Sequence, residues 1–310
     1  MPPRVEQGAH AAAGWWGPPT SSVNWCELDY DVTELIAECA NTVSSLAILL
    51  VGLVGLALHW RTMELRFSAA FGAIALVGAG SVGFHMTLRR EWQMMDEVPM
   101  LWSALAMTFI LLEDGGRQRR YGRWLPWALC AHGVVITSLT ALSEGELQFA
   151  LFHASFGTLE FFSLHRVWRL WQRAEREERS QPTRQRCELY RRGFGCYGVG
   201  LVCWATDLLC CEQLRSALPA NPQLHAWWHV FVSGGLYTLS ILVAHARAES
   251  LHQSPQIRHL GGWLPYVHTV PLEVHGRRMR LHEPPAGGAH GTQGARSRSR
   301  SPSPSRAKRK

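Results

Sequence analysis

Two histidines one helical turn apart, His225 and His229 in the run HAWWH, head the residues of this chain that could do chemistry. Four residues of helix bring both imidazoles to one face, which is a chelating arrangement. His85, in GSVGFH, supplies a third nitrogen from another segment. Three neutral imidazoles with one coordination position open form the pattern of a catalytic rather than a closed structural zinc. Ser81 precedes His85 by four residues, so its hydroxyl shares that helix face, and Asp96 follows after a short turn of chain in MMDEVPM. A carboxylate and a hydroxyl beside three histidines meet the needs of metal-assisted hydrolysis: a base for the attacking water and a donor for the developing oxyanion. An HxxxH pair alone reads as two interfacial histidines; the third histidine, the serine and the aspartate favour a site.

The elements that must position these residues are apolar runs. The whole-chain values, 310 residues with a formal net charge of +7 and a mean hydropathy of -0.06, look like those of a basic soluble protein. From about residue 38 to residue 247, however, long apolar runs alternate with short charged connections. A helix needs on the order of 20 apolar residues to cross a bilayer. Seven segments approach that length, at about 39–58, 67–88, 97–112, 124–142, 149–168, 193–211 and 225–246, the third being the shortest. Soluble helices rarely stay apolar all round over such lengths. The expected fold class is therefore an all-α membrane protein, a seven-transmembrane helix bundle.

Short cytoplasmic loops retain arginine and lysine. The first, third and fifth connections hold Arg61 and Arg66, then Arg117, Arg119, Arg120 and Arg123, then Arg173, Arg176, Arg179, Arg184, Arg186, Arg191 and Arg192. The opposite side holds Arg4, Arg89, Arg90 and Arg215. The N-terminus is thus expected in the lumen and the C-terminus in the cytoplasm. No cleavable signal peptide is visible, so the first apolar run directs insertion. The expected organisation is a lumenal N-terminal segment over 1–38, a catalytic membrane domain over 39–247 and a cytoplasmic tail over 248–310 with a disordered Arg/Ser-rich end.

In this topology His85, Asp96, Asp207, His225 and His229 gather at lumenal helix ends, and ionisable groups at membrane depth suggest function. Asp207 is a candidate to orient a zinc-binding imidazole from behind. Glu160 and His153 lie in the fifth segment as candidates to line a substrate cavity, with ordinary polar contacts between helices as the favoured reading. Asn24, Glu27, Asp29 and Glu38, with the Trp25 carbonyl, are spaced closely enough to supply hard oxygen ligands to calcium; a solvated acidic lead into the first helix is the competing reading. Of the eight cysteines, Cys26, Cys210 and Cys211 fall on the lumenal side, where a disulfide can persist. Cys39, Cys130, Cys196 and Cys203 read as small buried hydrophobes.

The segments WGPPTSSVNWCE, IAECANTVS, GSVGFHMTL, MMDEVPM, CWATDLLCCEQLR and HAWWHVF, in that order, resemble those of the alkaline ceramidases over roughly residues 15–267. The resemblance implies a seven-helix hydrolase of the wider superfamily that includes the adiponectin receptors, cleaving the amide of ceramide to sphingosine and a fatty acid. It also implies zinc on His85, His225 and His229, Asp96 as base or proton shuttle, and Ser81 as oxyanion donor. It implies calcium on Asn24, Trp25 (main chain), Glu27, Asp29 and Glu38, a bridge from Cys26 to Cys211, and residence in endoplasmic reticulum or Golgi membranes. One departure stands out: Asn24 comes first and Asp29 later, the reverse of the family's usual order, with the total ligand charge unchanged. The expected partners are a ceramide-type lipid and membrane lipids. RSRSRSPSPSRAKRK, tethered to a membrane domain, reads as a cytosolic tail near anionic headgroups rather than a nucleic-acid binder. A seven-helix lipid receptor with a structural zinc would keep the same histidines, and turnover separates the two.

Overall fold

A computed structural model of the protein describes residues 14–113, 120–177 and 181–270. Seven helices succeed one another: α1 Cys39–His59, α2 Leu65–Thr87, α3 Arg90–Leu112, α4 Trp124–Leu142, α5 Gly145–Arg176, α6 Gln181–Ala217 and α7 Leu224–Ser250. An antiparallel hairpin follows, β1 Ser254–Leu260 and β2 Leu264–Val270. All the helices except α5 are long and apolar enough to cross a membrane. The 32-residue α5 falls short because it carries Glu146, Gln148, His153, Glu160 and His165.

The third segment, taken from sequence to start near residue 97, is a 23-residue helix that starts at Arg90. Its polar first turns are wound into the helix and satisfied inside the bundle. Gln93 Nε2 donates to Glu97 Oε1 at 2.8 Å and to Gln148 Oε1 at 3.1 Å, and Gln148 Nε2 donates to the other Glu97 oxygen. All three side chains are buried, and their mutual bonds remove the cost of leaving amides and a carboxyl unpaired in an apolar medium.

Small residues let the helices approach closely. A Cβ on Gly78 would lie 2.2 Å from the Leu49 backbone nitrogen, so α1 and α2 touch main chain to main chain there. A Cβ on Gly80 would lie 2.0 Å from the Met95 carbonyl oxygen, which fixes the approach of α3 beside Ser81. The apolar core is built on Phe67, Phe71, Ile110, Leu111, Ile241 and Leu242.

The N-terminal segment is fastened to one end of the bundle. The backbone N–H groups of Ala37 and Glu38 donate to the carbonyls of Met86 and His85, both at 2.9 Å. Cys26 is joined by a disulfide to Cys211, which follows a non-helical residue, Cys210, that kinks α6. The Cys26 carbonyl accepts from Arg215 at 3.0 Å and Asn221 at 2.6 Å.

The other end is closed by two features. Glu64, between α1 and α2, takes hydrogen bonds from Arg66 and from Arg247 of α7. The hairpin packs on α1 and α7: Tyr237 donates to the Pro265 carbonyl at 2.8 Å, and the Val267 N–H donates to His59 Nε2 at 3.2 Å. Residues 254–270, grouped by sequence with an unstructured tail, are therefore folded. One anchor, Tyr237, lies on the preceding helix, and the other, His59, lies 208 residues before its partner Val267. The Arg/Ser-rich end, and Arg4, Arg117, Arg119 and Arg179 of the charge comparison, lie outside the described residues.

Cys211→Ser is expected to lower stability by about 2–5 kcal/mol, the usual loss for a native disulfide closing a long loop, read as a lower midpoint in thermal unfolding of the detergent-solubilised protein. Burial alone would raise the Glu64 carboxyl, but hydrogen bonds and charge from Arg247 and Arg66 hold it below its ordinary 4.5. A depressed carboxyl stabilises above its unfolded pKa and loses that contribution as pH falls through its folded one. Wild type should exceed Glu64→Gln by about 1 kcal/mol at pH 7, and unfolding curves at several pH values should show the margin vanishing well below pH 4.5.

Candidate active site

His85, near the end of α2, and His225 and His229, in the first turns of α7, meet inside the bundle. Their candidate ligand atoms all lie within 4.8 Å of one another, and the three residues are buried. Ring centroids are 5.2 Å apart for His85 and His225, 4.9 Å for His85 and His229, and 4.6 Å for His225 and His229. His85 Nε2 and His225 Nδ1 are buried with no hydrogen-bond partner. Orphaned imidazole nitrogens facing one point are the donor set of a metal site.

The groups behind these rings set their orientation. Glu38 Oε2 lies 2.5 Å from His85 Nδ1. A carboxylate only accepts, so the proton sits on Nδ1 and Nε2 is left bare. His229 Nδ1 lies 2.9 Å from Ser44 Oγ and 3.4 Å from Ser45 Oγ. Both hydroxyls donate to the Asn41 carbonyl, which leaves their lone pairs to His229 Nδ1–H. Sequence reasoning did not find Ser44, Ser45 or this use of Glu38. The spacing of Glu38, Asn41 and Ser45 along one face at the start of α1 was the available signal.

Asp207 is corrected in detail. Its carboxylate accepts the backbone N–H of Cys26 at 3.0 Å and that of His225 at 3.3 Å, so it holds main chain and not an imidazole. The imidazole of His225 is instead stacked on Trp25, with centroids 3.6 Å apart.

Of the residues expected to bind calcium, Asn24 Nδ2 donates to Asp29 Oδ2 at 3.0 Å while Asn24 Oδ1 is buried without a partner. Glu38 Oε1 accepts from the Trp25 N–H at 3.1 Å. Glu27 accepts from the N–H groups of Ala40 and Asn41, capping the start of α1 with both oxygens. Burial raises the Glu27 carboxyl against those N–H bonds and raises Asp29 to about 6 with help from neighbouring Glu38.

Ser81 and Asp96 line one cavity with His225 and His229, of about 300 Å³ and walled mostly by apolar side chains. Ser81 Oγ is 3.0 Å from Ser45 Oγ. With the Ser45 hydrogen on Asn41, the Ser81 hydroxyl donates to Ser45 and can turn to a ligand in the cavity. His153 and Glu160, for which the sequence left open a place on a substrate cavity, line the same cavity.

A helical bundle with six helices long and apolar enough to cross a membrane and a metal-capable histidine cluster in its interior defines the class: a multi-pass membrane protein with a buried candidate metal site. The ceramidase family profile matches residues 17–268. The chain is 28% identical over 276 residues to alkaline ceramidase 3 of Mus musculus, covering 84% of this chain and 97% of that protein. It is 30% identical over 262 residues to an alkaline ceramidase of Arabidopsis thaliana, covering 84% and 96%. It is 27% identical over 243 residues to an alkaline ceramidase of Drosophila melanogaster, covering 75% and 80%. The chain belongs to the ceramidase family.

Glu38→Ala should leave His85 Nδ1–H, the Trp25 N–H and the Asn41 amide without their acceptor. At about 1–3 kcal/mol for each buried donor left unpaired, thermal unfolding of metal-stripped protein should show a large loss, and Glu38→Gln a smaller one.

Proposed function

We propose that this protein is an alkaline ceramidase, an amidohydrolase that cleaves the linear amide of ceramide to a sphingoid base and a free fatty acid inside the membrane. The observation that carries the reading is a cluster of three buried imidazoles, two with an unpartnered nitrogen, of which His225 and His229 line one apolar cavity with Asp96 and Ser81. A lipid amide must leave water's surface to reach such a place, and a cavity within a bundle can take its chains while holding its polar head at the histidines.

His85, His225 and His229 hold zinc in this reading, and the orphaned His85 Nε2 and His225 Nδ1 fit that role. When bound, the metal supplies a water of lowered pKa and a Lewis acid for the amide carbonyl. Asp96 takes the proton of the attacking water and returns it to the departing amine. Ser81 turns its hydroxyl from Ser45 to the developing oxyanion. Glu38, Ser44 and Ser45 keep the imidazoles in place. Asn24, the Trp25 carbonyl, Glu27, Asp29 and Glu38 hold calcium, for which the unpartnered Asn24 Oδ1 is the supporting observation. The segment 1–38 then lies in the lumen of the endoplasmic reticulum or Golgi, and the chain beyond α7 in the cytoplasm, in keeping with the arginine asymmetry.

His225→Ala should lose about one bound zinc and all release of sphingoid base from a fluorescent ceramide while keeping its helical circular dichroism. Full turnover by the variant would reject the zinc assignment, and a zinc-loaded wild type that cleaves no ceramide would leave a lipid receptor in its place.

A further inference from the structure

Among the described residues, the exposed tryptophans gather at the two ends of the bundle. Trp15 and Trp16 of the N-terminal segment, Trp92 in the first turn of α3 and Trp227 in the first turn of α7 stand at the histidine end. Trp60 after α1, Trp124 and Trp127 at the start of α4 and Trp168 late in α5 stand at the other. Two such rings mark the two membrane–water interfaces, where an indole keeps its apolar body in lipid and its N–H among headgroups.

The hairpin lies at the level of the second ring. The Val267 N–H donates to Nε2 of His59, the residue before Trp60, and Val267 is buried in the apolar core. The Pro265 carbonyl accepts from Tyr237, which stands ~15 Å nearer the histidines than Arg247 along α7. A tyrosine side chain is shorter than that span, so this part of β2 runs beside α7 and not beyond its charged end. The turn between the strands is nonetheless uncovered: Trp263 is 77% exposed and Leu260 52%. Gly261 and Gly262 both take left-handed backbone, with φ of 61° and 82°, and the Trp263 N–H returns to the Leu260 carbonyl at 3.4 Å. A tight turn of this kind has a fixed shape, and it holds both apolar side chains off the packed face of the hairpin.

We propose that the Leu260–Trp263 turn is a membrane-surface anchor. It sits in the phospholipid interface at the end of the bundle away from the histidines, where Trp263 completes the ring formed by Trp60, Trp124, Trp127 and Trp168. In water the turn would leave a leucine and a tryptophan side by side with no apolar cover. The hydrocarbon core is excluded as well, because a two-stranded hairpin has unpaired N–H and C=O groups along its edges and its turn. The interface meets both demands: headgroups and water serve the backbone, and the acyl boundary takes the apolar side chains. Arg258, exposed on β1 two residues before Leu260, suits phosphate oxygens at that level.

Photo-crosslinking of the full-length protein in phosphatidylcholine nanodiscs tests the anchor, with p-benzoylphenylalanine replacing Trp263 and adducts read by mass spectrometry. The same replacement at Trp60 reports the ring, and at Arg176, exposed and ~12 Å past Trp168 along α5, it reports water. Phospholipid adducts are expected at 263 and at 60, about fivefold or more above those at 176. Adducts at 60 without 263 would put the turn in water, and a protein–protein adduct at 263 would give it to a second copy; either result overturns the anchor. Absence of lipid adducts at both 60 and 263 overturns the ring and the anchor together. Hydroxyl-radical footprinting of the unmodified protein answers the same question without a substitution: Trp263 should oxidise as slowly as Trp60 in nanodiscs, and oxidation as fast as in the denatured chain overturns the proposal.

Discussion

The Glu38 carboxylate, buried at the head of α1, is the contact on which the rest of this structure depends. One oxygen stands 2.5 Å from His85 Nδ1 and the other accepts the Trp25 N–H. A carboxyl removed from water is costly unless donors surround it, and here the donors come from α1, α2 and the N-terminal segment. Satisfying that one group therefore requires all three to be in place. Trp25, positioned by the same bond, stacks on His225 and so reaches the third histidine from the other side of the ring cluster. The N-terminal segment is part of the wall of the site rather than a cover laid over it.

The two ends of the bundle are stabilised differently. At the site end, polar groups are numerous and many are paired within the protein, Gln93 with Glu97 and Gln148, Asp207 with the Cys26 and His225 backbones, Glu27 with the start of α1, while Asn24 Oδ1, His85 Nε2 and His225 Nδ1 are left without partners. A buried polar group left without a partner is costly, so this pairing lowers the cost of gathering polar groups at that end. At the far end, closure relies on the Glu64 ion pairs and the hairpin on His59 and Tyr237. The disulfide at Cys26 and the close passage of α2 against α1 and α3 at Gly78 and Gly80 keep the histidine-bearing elements from drifting apart.

The cavity bears on why α5 alone among the described helices lacks a stretch apolar enough to count as a membrane span. His153 and Glu160 face inward to it, and Gln148 joins the buried network at its upper end. A helix with one polar stripe turned to a cavity and the rest turned to lipid has a low mean hydropathy without being exposed to water.

The sequence by itself determined the all-helical class, the ordering of seven elements, and the presence of three histidines, a serine and an aspartate at one end. These depend on local periodicity, the 3.6-residue repeat and the length needed to cross a bilayer, which any stretch of chain carries within itself. Tertiary structure alone decided what stands behind each imidazole: Glu38 behind His85, Ser44 and Ser45 behind His229, Trp25 against His225. It decided that Asp207 holds backbone, that α3 begins at Arg90, and that residues 254–270 fold against His59 and Tyr237. The reason is the range of the interaction. A hydrogen bond between residues 47 apart, as between Glu38 and His85, leaves no periodic trace in either segment, and exists only once packing has brought the two helices to the same depth.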